Sequence, residues 1–161
     1  MEDEKDKTGS MEKGKEYLMT GLLLVACLAA PQAYVVDGSG SGIKECLLYH
    51  FTHANVFHLL LNFMFLLRYK PLWRSTLFGW ITASIAAYMP MCAMDLPTCG
   101  LSGICFAMIA RSNAYQKRIS WIAVLSNIPM ALVGVFNWRL HIMSYLISFI
   151  SWTVYLRVRN S

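Results

Sequence analysis

The sequence predicts an all-α protein, a polytopic membrane bundle of six transmembrane helices, and three observations carry that expectation. Of 161 residues, 57% are hydrophobic and 14% charged, with a mean hydropathy of +0.45; the apolar share is well above that of a typical soluble domain. The apolar residues fall into six runs separated by short polar turns. Twelve of the fourteen Lys and Arg residues lie on one side of the bundle those runs would make.

Taken in order, Met1 to Glu16 holds ten charged residues of alternating sign and reads as a solvated, poorly ordered tail. Tyr17 to Val36 is a first apolar run with Pro31 near its far end. It is long for the apolar core of a signal peptide and five more runs follow, so it reads as a retained span. Those runs fall near 51–67, 73–94, 101–115, 119–136 and 138–156, each tested against the roughly 20 residues that cross a bilayer core. The expected organisation is a charged tail at 1–16, one six-helix domain at 17–157 and a short C-terminus at 158–161. A soluble all-α core would need polar helix faces, and the third and fifth runs have almost none.

An even number of spans puts both termini on one side. That side would hold Lys5, Lys7, Lys13, Lys15, Arg68, Lys70, Arg74, Arg111, Lys117, Arg118, Arg157 and Arg159, with only Lys44 and Arg139 opposite. The bias places both termini in the cytoplasm of a multi-pass protein, with a bacterial cytoplasmic membrane the expected location. The net charge of +5 is then explained by topology: the lipid bilayer is the expected partner, and no nucleic acid is required. Cys46 and Cys99 both fall near the outer side, where either a disulfide or two free thiols would be compatible with the sequence. No Cys pair has redox or metal spacing.

Gly100-Leu101-Ser102-Gly103 reads as the mouth of a short apolar helix that sets one hydroxyl between two glycines. A helix N-terminus offers unpaired N–H groups and the positive end of a dipole, which suit an oxyanion forming beside a serine. The same four residues also fit a small-residue packing site. Ionisable groups inside apolar runs are costly and usually functional; here they are His53, His58 and His141, with Asn62 the notable amide. No run contains Asp or Glu, which excludes a paired-aspartate protease, and there is no H-E-x-x-H. A serine and a histidine remain, with no metal or cofactor expected. Gly103, Ala107 and Ala110 make a small-residue stripe, and Ser144, Ser148 and Ser151 another in phase with His141; packing the two together would bring His141 to Ser102. Phe106, one turn from Ser102, would then stack on the imidazole.

Together these residues resemble the rhomboid intramembrane serine proteases. His53-Ala-Asn-Val-Phe-His58-Leu-Leu-Leu-Asn62 looks like that family's H-x-x-x-x-H-x-x-x-N, Gly100-Leu-Ser102-Gly103-Ile-Cys-Phe106-Ala like its G-x-S-G-x-x-[FY]-[AG] box, and His141 stands in the place of its last-helix histidine. The resemblance implies Ser102 as nucleophile and His141 as general base. It implies His58, Asn62 and backbone N–H groups such as that of Leu101 as oxyanion donors, with His53, Phe106, Gly100 and Gly103 as support. The implied activity is an intramembrane serine endopeptidase with a Ser/His dyad, acting on single-pass transmembrane proteins from a site open to the outer face. Leu140, Ser144 and Ser148 replace the small residues the family carries there, so a looser contact between the fourth and sixth runs is expected. The first outer loop also lacks the family's Trp-Arg pair. One alternative is a non-proteolytic rhomboid-like protein that binds or dislocates membrane segments. Another is a carrier or haem protein ligated through His53 and His58, though five-residue spacing puts those two on different helix faces.

Overall fold

The computed structural model describes residues 2–30, 34–36, 42–69, 73–89, 92, 97–111, 125, 129, 132 and 137–160. The fifth apolar run at 119–136 lies almost wholly outside them. Helix α1 spans Glu2–Ala29, α2 Ile43–Leu48, α3 Val56–Tyr69, α4 Trp73–Tyr88, α5 Ser102–Ile109 and α6 Trp138–Asn160, and a 3-10 turn at Tyr49–Phe51 follows α2 directly. α1 begins at Glu2, so the backbone of the charged stretch is helical.

All-α is therefore correct, but the six-span membrane bundle is not: among the described residues no helix is long and apolar enough to cross a membrane. The reason is length in some helices and composition in others. At 1.5 Å per residue, α3 with 14 residues, α4 with 16 and α5 with 8 reach roughly 21, 24 and 12 Å against a hydrocarbon core of about 30 Å. The 28 residues of α1 are long enough, but the charged stretch occupies more than half of them and leaves only Tyr17 to Ala29 apolar. The 23 residues of α6 are interrupted by Arg139 at one end and Arg157 and Arg159 at the other, with His141, Ser144, Ser148 and Ser151 between. The multi-pass membrane location, and the cytoplasmic placement of the termini deduced from it, fall with that finding.

α5 is the centre of the packing. Every residue from Ser102 to Ile109 is buried, and α5 lies between α4 and α6 with α3 against its third side. A helix with no polar face satisfies its interior position in this way. Gly79 lets α4 approach: a Cβ there would sit 3.2 Å from Ile104 Cγ2. Ala83 of α4 packs near Gly103 while Gly79 packs near Ile104 and Met108, so α4 runs antiparallel to α5. Leu59, Phe63 and Leu66 of α3 join Ile104, Cys105 and Met108 of α5 and Leu23 and Cys27 of α1 in one core cluster, and Val36, Tyr49, Ala87, Cys92 and Leu140 make a second. Removing a side chain such as Leu66, 1% exposed, for Ala should cost about 2–5 kcal/mol. The apolar composition exceeds what this core absorbs: Phe57, Leu60, Leu61 and Met64 of α3 and Ile81 and Ile85 of α4 remain exposed.

The looser fourth-to-sixth-run contact expected from Ser144 and Ser148 does not appear. Both serines are fully buried, because each hydroxyl has a carbonyl to bond: Ser144 Oγ donates to Leu140 O at 2.7 Å within α6, and Ser148 Oγ crosses to Ala107 O of α5 at 2.6 Å. At the far end of α5, the Arg111 guanidinium lies between the rings of Phe78, 4.6 Å away, and Trp152, 4.1 Å away, which pins α4, α5 and α6 together there.

Candidate active site

The site forms where α3, α5 and α6 all begin. Thr98 to Leu101 leads into α5 and is held from several directions. Thr98 makes an isolated antiparallel bridge with Val36, the Gly100 N–H donates to Tyr49 O at 2.8 Å, and the Leu101 N–H donates to His53 Nε2 at 3.3 Å. Gly100 has φ +109°, a left-handed conformation that side chains resist. A Cβ there would also lie 2.6 Å from His58 Cε1, 3.1 Å from His58 Nε2 and 3.4 Å from Asn62 Nδ2. Glycine at this position therefore brings the turn ahead of Ser102 against both α3 side chains. Gly103 is constrained by space alone: a Cβ there would meet the Tyr49 hydroxyl at 2.8 Å and Leu140 Cδ2 at 3.2 Å.

Ser102 opens α5, and His141 lies one turn into α6. Their side chains meet: the Ser102 hydroxyl and His141 Nε2 are 2.8 Å apart, a hydrogen bond donated by the serine when the imidazole carries its proton on Nδ1. Phe106 stacks on His141 with ring centroids 4.6 Å apart and planes 5° from parallel, which fixes the plane of the imidazole. Burial pushes His141 down to about 3, with the neighbouring His58 acting in the same direction, so at neutral pH the imidazole is a neutral acceptor.

The expected oxyanion donors divide. Asn62 is buried and its Nδ2 has no hydrogen-bond partner, an uncommon state for a buried amide. His58 shares the α3 face with it, and burial lowers its pKa too. Leu101 differs from expectation, because its N–H is already donated to His53; the first amides of α5, from Ser102 onward, lie where a helix has no intrahelical acceptor for its N–H groups. His53 is accordingly a support of the turn. It lies in the non-helical link before α3, its ring edge-on to His58 with centroids 5.3 Å apart, and burial lowers it to about 4.

A cavity of about 350 Å³ reaches Ser102 and His141, with His58, Phe57, Cys99 and Asn137 also on its walls. Cys46 and Cys99 are both free thiols, so the disulfide alternative does not apply. Among the described residues no group of three or more His, Cys, Asp or Glu side chains is arranged to hold a metal.

Two features escaped the sequence reading. Asn137 belongs to none of the motifs in the chain, though an Asn just ahead of a helical run is itself a capping signal. The other is a second histidine–serine contact, His50 Nε2 to Ser84 Oγ at 3.0 Å, which no spacing in the chain foreshadows. In comparisons with known proteins, no family model, no curated protein and no solved structure matches the chain.

Proposed function

We propose that this chain is a serine hydrolase, an endopeptidase working through an acyl-enzyme with Ser102 as nucleophile and His141 as general base. The observation that carries the reading is the 2.8 Å contact between Ser102 Oγ and His141 Nε2 on the wall of a cavity. Ser102 Oγ attacks a peptide carbonyl as its proton passes to His141 Nε2. The carbonyl oxygen becomes an oxyanion and is stabilised by Asn62 Nδ2, His58 and the amides at the mouth of α5. Collapse of the tetrahedral intermediate breaks the C–N bond, and His141 returns the proton to the leaving amine. Water then attacks the acyl ester with His141 again as base, releasing the carboxylic acid and regenerating the serine. Stacking on Phe106 orients the base, in the role a carboxylate plays in a triad.

The substrate class is an apolar polypeptide segment in extended form. Phe57 and Leu61 line the cavity and are also exposed, 73% and 61%, on an α3 face that continues through Leu60 and Met64. An apolar strip running into a nucleophile suits an apolar chain, and the membrane segment of a single-pass protein is one such chain. The resemblance of the three motifs to the rhomboid proteases points the same way. The test is labelling of the purified protein by a fluorophosphonate probe. Ser102 should be modified, and Ser102→Ala should lose the label; an unlabelled wild-type chain, or undiminished labelling of Ser102→Ala, would remove the reading.

A further inference from the structure

Asn137 stands immediately ahead of α6, buried to 5% exposure, and its side chain faces two ways. Its Oδ1 accepts the Leu140 N–H at 3.1 Å, the bond of a helix N-cap. Its Nδ2 donates to Cys92 O at 2.5 Å and to Thr98 Oγ1 at 2.8 Å. A side-chain amide has two hydrogens to give, and both are spent, so Asn137 has none for a substrate although it lines the cavity. Asn62 is the converse, with an unpartnered Nδ2 beside Gly100.

The two acceptors on the far side of Asn137 belong to the chain that leads to the nucleophile. Thr98 is bridged to Val36 and stands four residues before Ser102. The Asn137 carbonyl in turn accepts the His141 N–H at 3.4 Å. One residue thus bonds the backbone of the base and the segment that delivers the serine. Beyond the Ser102–His141 contact itself, a further bond between α5 and α6 among the described residues, Ser148 to Ala107, lies eleven residues past Asn137. Between them Gly103 packs against Leu140.

We propose that Asn137 is the positioning residue of the dyad, locking the first turn of α6, which carries His141, to the Thr98 segment that carries Ser102. The inference rests on the Ser102/His141 reading given above. Both members come from helix starts, where frayed ends are ordinarily the loosest part of a helix. A shift of about 1 Å at the reacting atoms can cost up to about 10²-fold in rate, so a tie between the two starts has direct consequences for chemistry.

The experiment uses the full chain and two readouts: fluorophosphonate labelling with turnover of a cleaved peptide, and the ¹⁵N signal of His141 Nε2 in histidine-labelled protein. Asn137→Ala and Thr98→Val should each lower kcat by roughly 10- to 100-fold with KM little changed, and the double variant should be no slower than Asn137→Ala alone. Thr98→Ser, which restores the acceptor, should recover most of the loss. Asn137→Asp keeps the cap on Leu140 but loses both donors; it should recover thermal stability without recovering kcat, which separates the tie from the cap. The His141 signal should move in Asn137→Ala and Thr98→Val and return in Thr98→Ser. If Asn137→Ala does not fold, Thr98→Val carries the test. Full kcat and an unmoved His141 signal in either variant, or full rescue by Asn137→Asp, would overturn the proposal. A wild-type chain that takes no label while the signal still shifts would instead remove the dyad's activity and leave the positioning intact.

Discussion

Among the described residues there are two histidine–serine pairs, and only one has the surroundings of a catalyst. Ser102 and His141 are 2.8 Å apart, Ser84 and His50 3.0 Å. Both imidazoles are buried, and burial pushes each down to about 3. Distance and proton affinity therefore do not separate them; the next shell of structure does. The cavity that reaches Ser102 and His141 does not extend to His50 or Ser84. Ser102 opens a helix, where amides await a partner, whereas Ser84 lies deep in α4, where the preceding amides are committed. An unpartnered Asn62 donor stands beside Gly100, two residues ahead of Ser102. Beside the second stands the Tyr49 ring, its centroid 3.8 Å from His50 and tilted 40°. A histidine–serine hydrogen bond is thus a structural unit by default, and access, open amides and a spare donor give it chemistry.

The sharpest way to break that comparison is to delete each serine. Ser102→Ala and His141→Ala should each abolish labelling and turnover, and the double variant should be no worse than either, as expected for groups that act as one unit. Ser84→Ala should label like the wild type. Loss of labelling in Ser84→Ala that matches the loss in Ser102→Ala, with the fold intact, would assign the chemistry to the wrong pair.

Acid should expose what the pairs share. His50 and His141 are lowered to about 3 and His53 to about 4, each chiefly by burial. Below the ordinary imidazole value of 6.5 the unfolded chain takes up protons that the native chain refuses. The stability these groups contribute is therefore complete above pH 6.5 and is lost as pH falls toward 3. Each imidazole contributes a slope of up to about 1.4 kcal/mol per pH unit. Denaturant midpoints measured from pH 7 to pH 4 should fall steadily below 6.5, and His50→Gln should fall less steeply. A flat profile over that range would show that these imidazoles are hydrated in the native state.

How much of this was legible beforehand depends on the range of the interaction involved. The dyad, the Phe106 stack and the two glycines follow from short local spacings plus one helix pairing, and the structure brings those side chains together. The membrane bundle misread the same apolar composition: hydropathy alone does not say where helices stop. α3 begins at Val56 and α5 ends at Ile109, short of what the apolar runs suggested. His53 illustrates the other limit. Its spacing marked it as support, but that it accepts the Leu101 N–H, and so removes that amide from the oxyanion set, depends on a contact between residues 48 positions apart. The His50–Ser84 pair and the Asn137 tie are long-range in the same sense.

Asn62 tests the spare donor that distinguishes the first pair. Asn62→Ala should lower turnover by roughly 10² to 10³, the range for one oxyanion donor, and leave the Ser102–His141 contact in place, so fluorophosphonate labelling should fall less than peptide cleavage. Unchanged turnover would return Asn62 to helix packing.

The smallest effect belongs to the second pair and concerns stability alone. His50 Nδ1 already has no partner, and Ser84 provides the hydrogen bond to its other nitrogen. Ser84→Ala leaves the ring with neither bond while still buried, at an expected cost of about 1–3 kcal/mol. His50→Phe combined with Ser84→Ala removes both polar partners and fills the space with an apolar ring, so it should be less destabilised than Ser84→Ala alone. Chemical denaturation of the three variants decides it. A double variant weaker than Ser84→Ala would mean that His50 is held by polar contacts beyond Ser84, and the pair would then be part of a larger buried network.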